Sequence, residues 1–305
     1  MNRLVLPITL VLACSSRPLR LHPPDGGRSD STLPGGDAGD SSRASGDSSA
    51  IPGIIPTVGV SVSDEVCALL TDGTISCWGN IRYPVPAGTF ISVSAGDGYA
   101  CAVKPDGTIF CWGGDAFGDT VPPPGTFTSV STGWDFACGL RTDETIACWG
   151  NGACGDTTPP AGTFKSISLA SRTDGYDCGV RTDGTLACWG NNAIGNTGLP
   201  TGTFTSVSVG GGYCPCGVKT DGSLACCKVE VPPGGGYIVC TLPPPTGPFI
   251  MVSGEHQQYL LKTDGTIVMS CSNPQSPLPS DRFISISVGS TMACGVKVDG
   301  TVYCW

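Results

Sequence analysis

The chain has 305 residues, a formal net charge of −9, 45 Gly, 26 Pro and only 13% charged side chains. So much glycine and proline argues against a helical architecture, because each internal Gly weakens a helix and each Pro breaks it; short strands joined by many turns suit it better. The acidic balance argues against nucleic acid as a partner, since phosphates demand clustered Lys and Arg, and 18 cysteines point to an oxidising compartment or to metal.

The N-terminus, MNRLVLPITLVLAC, carries one positive charge at Arg3, an apolar run from Leu4 to Ala13, and then Cys14. About ten apolar residues form the core of an export signal and are too few to span a bilayer. Val11-Leu12-Ala13-Cys14 resembles the lipobox of bacterial lipoproteins, with Val11 in place of the commoner Leu and an unusual Pro7. The resemblance implies that residues 1–13 are removed and that the Cys14 sulfur carries lipid. Ser15 rather than Asp then implies transport to the bacterial outer membrane. A plain signal peptide with an incidental cysteine, and an extracellular product, is the alternative. Residues 14–52 are mainly Ser, Asp, Gly and Pro with almost nothing to bury, and are expected to be a disordered tether. His22 falls in this tether, which makes it a poor candidate for chemistry.

From residue 53 to 305 the chain repeats one unit, whose turn aspartate recurs at Asp72, Asp106, Asp143, Asp183, Asp221, Asp264 and Asp299. Around each, the unit reads F-x-S-V-S-x-G, a short loop, C-[AG]-[LV]-[KR]-T-D-G-T-[IL]-x-C-W-G-N, and a Pro-rich return ending in Gly-Thr-Phe. A three-residue loop at Thr71-Asp72-Gly73, a type I turn closed by Gly in the left-handed region, sets Leu70 opposite Thr74. Counting outward, Leu69 faces Ile75 and Cys67 faces Cys77 at a site where the α-carbons approach closely enough for a disulfide. The same count pairs Cys101 with Cys111, Cys138 with Cys148, Cys178 with Cys188, Cys216 with Cys226 and Cys294 with Cys304.

The sixth unit, YLLKTDGTIVM, keeps the hairpin but has Tyr259 and Met269 where both cysteines belong. Bonded partners tend to be lost together, whereas independent ligands need not be. A C-x9-C spacing also lacks the close pairs of zinc sites, and histidine partners are missing. No metal and no cofactor is therefore expected. Cys154, Cys214, Cys227, Cys240 and Cys271 remain; Cys214 with Cys227 and Cys240 with Cys271 are conceivable pairs that leave Cys154 over. Along each hairpin, Cys67, Leu69, Ile75 and Cys77 make a bulky face, while Ala68 and Ser76 make a small one with Trp78 beyond. A small sheet with both faces buried must be sandwiched by its neighbours, and seven such units arranged radially give an all-β, seven-bladed β-propeller.

The run SVSAGDGYACAVKPDGTIFCWGGDAFGDTVPP resembles the RCC1 (regulator of chromosome condensation) repeat in its short form, as in the β-lactamase-inhibitory proteins of type II. The resemblance extends from about residue 55 to 305 and implies a seven-bladed propeller whose rim loops bind other proteins. It implies no single activity, because function is placed on a fold rather than given by it. Several departures stand out. Tyr99, Phe136 and Tyr176 replace the family's usual loop histidine, Glu144 replaces the Gly that closes the third turn, and Cys227 replaces the Trp of the fifth unit. The chain also stops at Trp305 inside its seventh unit, so that closure of the ring needs the N-terminal approach strand or stays incomplete.

Little points to catalysis. Neither a nucleophile elbow, nor H-E-x-x-H, nor a phosphate-binding loop occurs. Glu255-His256 is half of an acid–base pair at most. Lys104, Arg141, Arg181, Lys219, Lys262 and Lys297 recur at one position; they make either a ring of positive charge or a solvated edge paired with the Asp two residues on. The Trp of each Trp-Gly (Trp78, Trp112, Trp149 and Trp189) reads as core. The loops before the first cysteine vary most, and Trp134, Asp97, Asp174 and His256 are the candidate partner-binding residues there. The expected function is that of a non-enzymatic, monomeric scaffold binding a protein or glycan at the cell surface, membrane-attached through its lipid only. A secreted enzyme inhibitor, and a hydrolase or lyase using the propeller channel, are the alternatives.

Overall fold

The computed structural model describes residues 57–63, 65–79, 83–114, 120–151, 158–170, 176–190, 199–209, 215–226, 245–254, 258–269, 278–289 and 292–305. Cys14, His22, the five leftover cysteines and the signal and tether lie outside the described residues, as do Asp174 and His256.

The described strands form seven antiparallel sheets of three consecutive strands each. Blade 1 comprises Thr57–Val62, Glu65–Leu70 and Ile75–Gly79. Blade 2 comprises Ser92–Ala95, Tyr99–Val103 and Ile109–Gly113, and blade 3 Phe127–Thr132, Phe136–Arg141 and Ile146–Gly150. Blade 4 is Phe164–Ser168, Tyr176–Arg181 and Leu186–Gly190; blade 5 is Phe204–Ser208, Cys216–Lys219 and Leu224–Cys226. Blade 6 is Phe249–Ser253, Tyr259–Lys262 and Ile267–Met269; blade 7 is Phe283–Val288, Ala293–Lys297 and Val302–Cys304. This is an all-β, seven-bladed propeller.

The hairpin register follows from the turn. Gly73 N–H donates to Leu70 O at 2.9 Å, and Leu70 N–H donates to Thr74 O at 2.9 Å. Gly73 takes φ +82°, which a residue without Cβ adopts freely. Asp72 Oδ1 accepts from both the N–H and the hydroxyl of Thr74, at 2.8 and 2.7 Å. These two bonds stabilise the ionised carboxylate and hold its pKa below the ordinary value, with the hydroxyl bond the larger cause. With the loop fixed, Cys67 lies opposite Cys77, and the two are bridged with their α-carbons 4.1 Å apart. The other five predicted pairs are bridged in the same way, so every described cysteine is a half-cystine.

Packing between blades sets large against small. The bulky face of blade 1 (Cys67, Leu69 and Ile75) meets Phe90, Ala100, Ala102 and Trp112 of blade 2. Tyr99, Cys101 and Val103 of blade 2 meet Phe127, Ala137 and Trp149 of blade 3. The small residue after each first cysteine has a steric reason: a Cβ added at Gly139 would lie 2.5 Å from Phe127 Cδ1. Trp112, Trp149 and Trp189 are buried, as their recurrence suggests, and so are Tyr99 and Phe136.

The first strands of blades 1, 2, 4, 6 and 7 each hold the next blade through a serine hydrogen bond that the sequence reading did not anticipate. Ser61 Oγ accepts from Ala95 N of blade 2 at 3.0 Å, and Ser94 Oγ accepts from Thr132 N of blade 3 at 3.1 Å. Ser168 and Ser253 do the same for Val209 and Val288, at 3.2 and 3.1 Å. Ser287 of blade 7 accepts from Val62 N of blade 1 at 3.1 Å, which closes the ring with the bond used inside it. Cys294 and Val302 pack on Val62, Val66 and Trp78 across the same junction. The approach strand Thr57–Val62 therefore supplies blade 1 and is not lent to blade 7; closure is face to face. A second belt joins the turns of blades 1 to 6 to the following blade, as where Phe90 N–H donates to Gly73 O at 2.7 Å and Phe127 N–H to Gly107 O at 2.8 Å.

Candidate functional site

The up-and-down order of every blade divides the propeller into two ends. Hairpin turns crowd one end, and the loops joining first to second strands crowd the other.

At the turn end, the recurring cations are structural. The Arg141 guanidinium lies over the Phe127 ring at 4.9 Å and donates to Pro124 O at 3.1 Å. Arg181 repeats this over Phe164, at 5.1 Å, with Ala161 O as acceptor at 3.0 Å. Lys104 and Lys297 sit over the rings of Phe110 and Tyr303 at 5.4 and 5.0 Å, and Lys297 pairs with Asp281 at 3.2 Å. The expected attraction to the Asp two residues on accompanies these aromatic contacts: each cation helps lower that aspartate's pKa, behind the Thr or Ser hydrogen bonds that hold it.

At the loop end, the first strands converge on a cavity of about 150 Å³. Its wall includes Ser61, Ser94, Ser131, Ser168, Ser208 and Ser253, with Thr132 and Asp97 nearer the rim loops. Among the described residues of that lining, Asp97 is the one ionisable side chain. Two of the seven belt serines, Ser131 and Ser208, have no hydrogen-bond partner among the described residues, and Ser208 is only 8% exposed.

Asp97 and Trp134 occupy matching positions on neighbouring loops. Gly96 and Gly133 abut: a Cβ added at Gly96 would lie 2.9 Å from Gly133 O, and Tyr99 Oη donates to the same oxygen at 3.2 Å. Tyr99 also donates to Phe136 O, which pins blade 2 to blade 3 beneath the loops. The next residue, Asp135, is buried and accepts from Asn151 Nδ2 at 2.6 Å. That bond helps hold the Trp134 loop, and Trp134 itself remains 43% exposed. Of the four candidates, Asp97 and Trp134 each follow one of the two abutting glycines, and Asp97 lines the cavity, while Asp174 and His256 lie outside the described residues. The cavity serines were missed because F-x-S-V-S reads as ordinary alternation; their recurrence in all seven units was the available signal. Among the described residues no group of His, Cys, Asp or Glu gathers as metal ligands.

These features define a disulfide-stapled repeat propeller with one chemically varied end. The profile described as Regulator of chromosome condensation (RCC1) repeat matches residues 90–119 and 127–156, in blades 2 and 3, and the chain is an RCC1-like repeat propeller. A comparison with curated proteins finds no match. Among solved structures, the CRINKLY WD40 ectodomain of the Arabidopsis thaliana receptor kinase ACR4 superposes with a TM-score of 0.63 at 24% identity, over 81% of this chain and 93% of that one. The ectodomain of the Physcomitrella patens receptor kinase CR4 gives 0.67 at 21% identity, over 81% and 71%. Human WBSCR16 gives 0.56 at 13%, over 76% and 79%. At these identities the likeness is one of fold.

Proposed function

We propose that this protein is an exported, non-enzymatic binding scaffold that offers the loop end of a rigid propeller to a partner at the cell surface, held there by lipid on Cys14. The observation that carries the reading is the contrast in chemistry between the two ends: one is repeated and internally bonded, the other exposes Trp134 on the loop next to that of Asp97, which lines a polar cavity. An exposed indole among polar groups is the usual anchor of a recognition surface. A ring stiffened by six bridges and two hydrogen-bonded belts also limits the ordering cost of binding. Six disulfides favour an oxidising compartment, and two of the similar folds belong to receptor ectodomains.

The test is crosslinking of the intact protein on cells, with photoreactive groups placed in the Gly133–Asp135 loop or, as control, at the exposed Val298 in the last hairpin turn. The loop-end probe is expected to capture a saturable partner and the Val298 probe none. Equal capture at both ends, or none that saturates, would overturn the assignment.

A further inference from the structure

We infer that the turn end of blades 6, 7, 1 and 2 is a second membrane contact, an aliphatic surface that rests on zwitterionic phospholipid and turns the loop end outward. The inference rests on the anchor at Cys14 in the reading above and adds to that anchor a face of the propeller itself.

The turn end has two unlike sides. In blades 2 to 7 the residue after the leading Phe stands beside the preceding blade's turn; Phe249 and Phe283, for instance, donate N–H to Gly222 and Gly265 O, each at 2.8 Å. Blades 3, 4 and 5 place Thr128, Lys165 and Thr205 there, and the two hydroxyls donate to Leu140 O and Val218 O at 3.3 and 3.2 Å. The same three blades each bond two threonine hydroxyls behind the turn, as between Thr126 and Thr142 at 2.8 Å. Blades 2, 6 and 7 instead place Ile91, Ile250 and Ile284 after the Phe, 51%, 45% and 49% exposed. Behind their turns Pro105, Pro248 and Val298 take the place of one hydroxyl of the pair, and each is exposed. Val58 has the corresponding register in blade 1, at the bulge beside Thr57. Lone exposed apolar side chains are ordinary. The same exchange at two positions, on blades that follow one another round the ring, marks an interaction surface.

What lies against it follows from where the chain comes in. Thr57 opens blade 1 opposite Leu70, next to the first turn, so the chain from Cys14 joins the propeller in the middle of the aliphatic side. A contact made beside an anchor is intramolecular, and a patch too weak to hold from solution is then well populated. Exposed aliphatic side chains gain by leaving water for the boundary between headgroups and acyl chains. Charge selects the lipid. Arg282 pairs with Asp264 at 3.4 Å and Lys297 with Asp281 at 3.2 Å, and Lys104 and Lys262 lie within reach of Asp106 and Asp264. Asp72 and Asp299 add two more acids on this side. An anionic headgroup meets cations already engaged, among acids that repel it, whereas a zwitterionic one carries both charges.

The test uses the full chain, lipidated at Cys14 and held on phosphatidylcholine vesicles, with a fluorescent dye at position 298 or, in a separate preparation, at position 134 of the opposite end. Brominated phosphatidylcholine is expected to quench the dye at 298 and to leave the dye at 134 unchanged. The combined change Ile91→Ser, Ile250→Ser and Ile284→Ser should abolish the quenching at 298 while the melting temperature holds. Quenching alike at both ends, or quenching at 298 that survives the three changes, overturns the inference. So does quenching that appears only once phosphatidylglycerol is added, which makes the contact electrostatic. Quenching that appears only after Ile54→Ser with Ile55→Ser also overturns it, since the chain's own approach then covers the surface. If mass spectrometry finds no acyl group on Cys14, the anchor and this inference fall together; a lipidated chain whose dye at 298 stays unquenched overturns this inference alone.

Discussion

Blade 6 and its six neighbours reach one hairpin by different means. Elsewhere a disulfide joins the second and third strands; in blade 6, Tyr259 lies opposite Met269 in the same register, with Leu260 opposite Val268 and Leu261 opposite Ile267. The missing bond coincides with added bulk. Leu260 stands where the other blades have Ala68, Ala102, Gly139, Gly179, Gly217 or Gly295, and both Leu260 and Leu261 are fully buried. Leu260 packs toward Cys216 and Val218 of blade 5, and Leu261 toward Phe283 and Ile286 of blade 7. Tyr259 meets Trp305 edge-on at 5.8 Å. The turn and the pattern of faces therefore set the hairpin, and the bridge fastens it.

Breaking each fastening in turn should rank the two solutions. Leu260→Ala should cost most, about 2–5 kcal/mol, because the cavity it leaves lies between two blades; chemical denaturation would read it. The double change Cys138→Ser with Cys148→Ser should cost roughly 2.5–3 kcal/mol, the loop entropy of a ten-residue closure, while far-UV circular dichroism stays native-like. Gly139→Ala, which pushes a Cβ against Phe127, should cost about 1–3 kcal/mol, mirroring blade 6's bulk in a blade not built for it. At Glu144, the described non-Gly residue with positive φ (68°), Glu144→Gly should gain up to about 1 kcal/mol and raise the melting temperature.

Acid should act on all blades alike, blade 6 included, and with the smallest effect. The turn aspartates, such as Asp72 and Asp264, are held below the ordinary carboxylate pKa, chiefly by the Thr hydroxyl they accept from. A depressed folded pKa contributes stability above the unfolded value of about 3.9, and that contribution is lost as pH falls through the folded one. Melting temperature should thus decline below about pH 4, and Asp72→Asn should flatten that decline.

The hairpins were legible because a three-residue turn fixes the register and two-residue alternation fixes the faces, so Cys67 opposite Cys77 follows by counting. The serine belt was not, since a bond from Val62 N to Ser287 Oγ spans 225 residues and leaves no local pattern. The closing junction, left by the sequence to the N-terminal approach strand or incomplete, uses that strand, whose Val62 bonds Ser287 across it. At the site, Trp134 and Asp97 were legible as unusual residues in variable loops. Their nearness depends on the Gly96–Gly133 contact between blades, and the cavity beneath them on seven strands converging. Arg141 over Phe127 was hidden too, because the pair is fourteen residues apart and only the first-to-second strand pairing joins them.

Peptide mapping of the unreduced protein tests the account most directly. It should return Cys67–Cys77, Cys101–Cys111, Cys138–Cys148, Cys178–Cys188, Cys216–Cys226 and Cys294–Cys304, each link confined to one blade. A link from any of these twelve sulfurs to a different blade would contradict it.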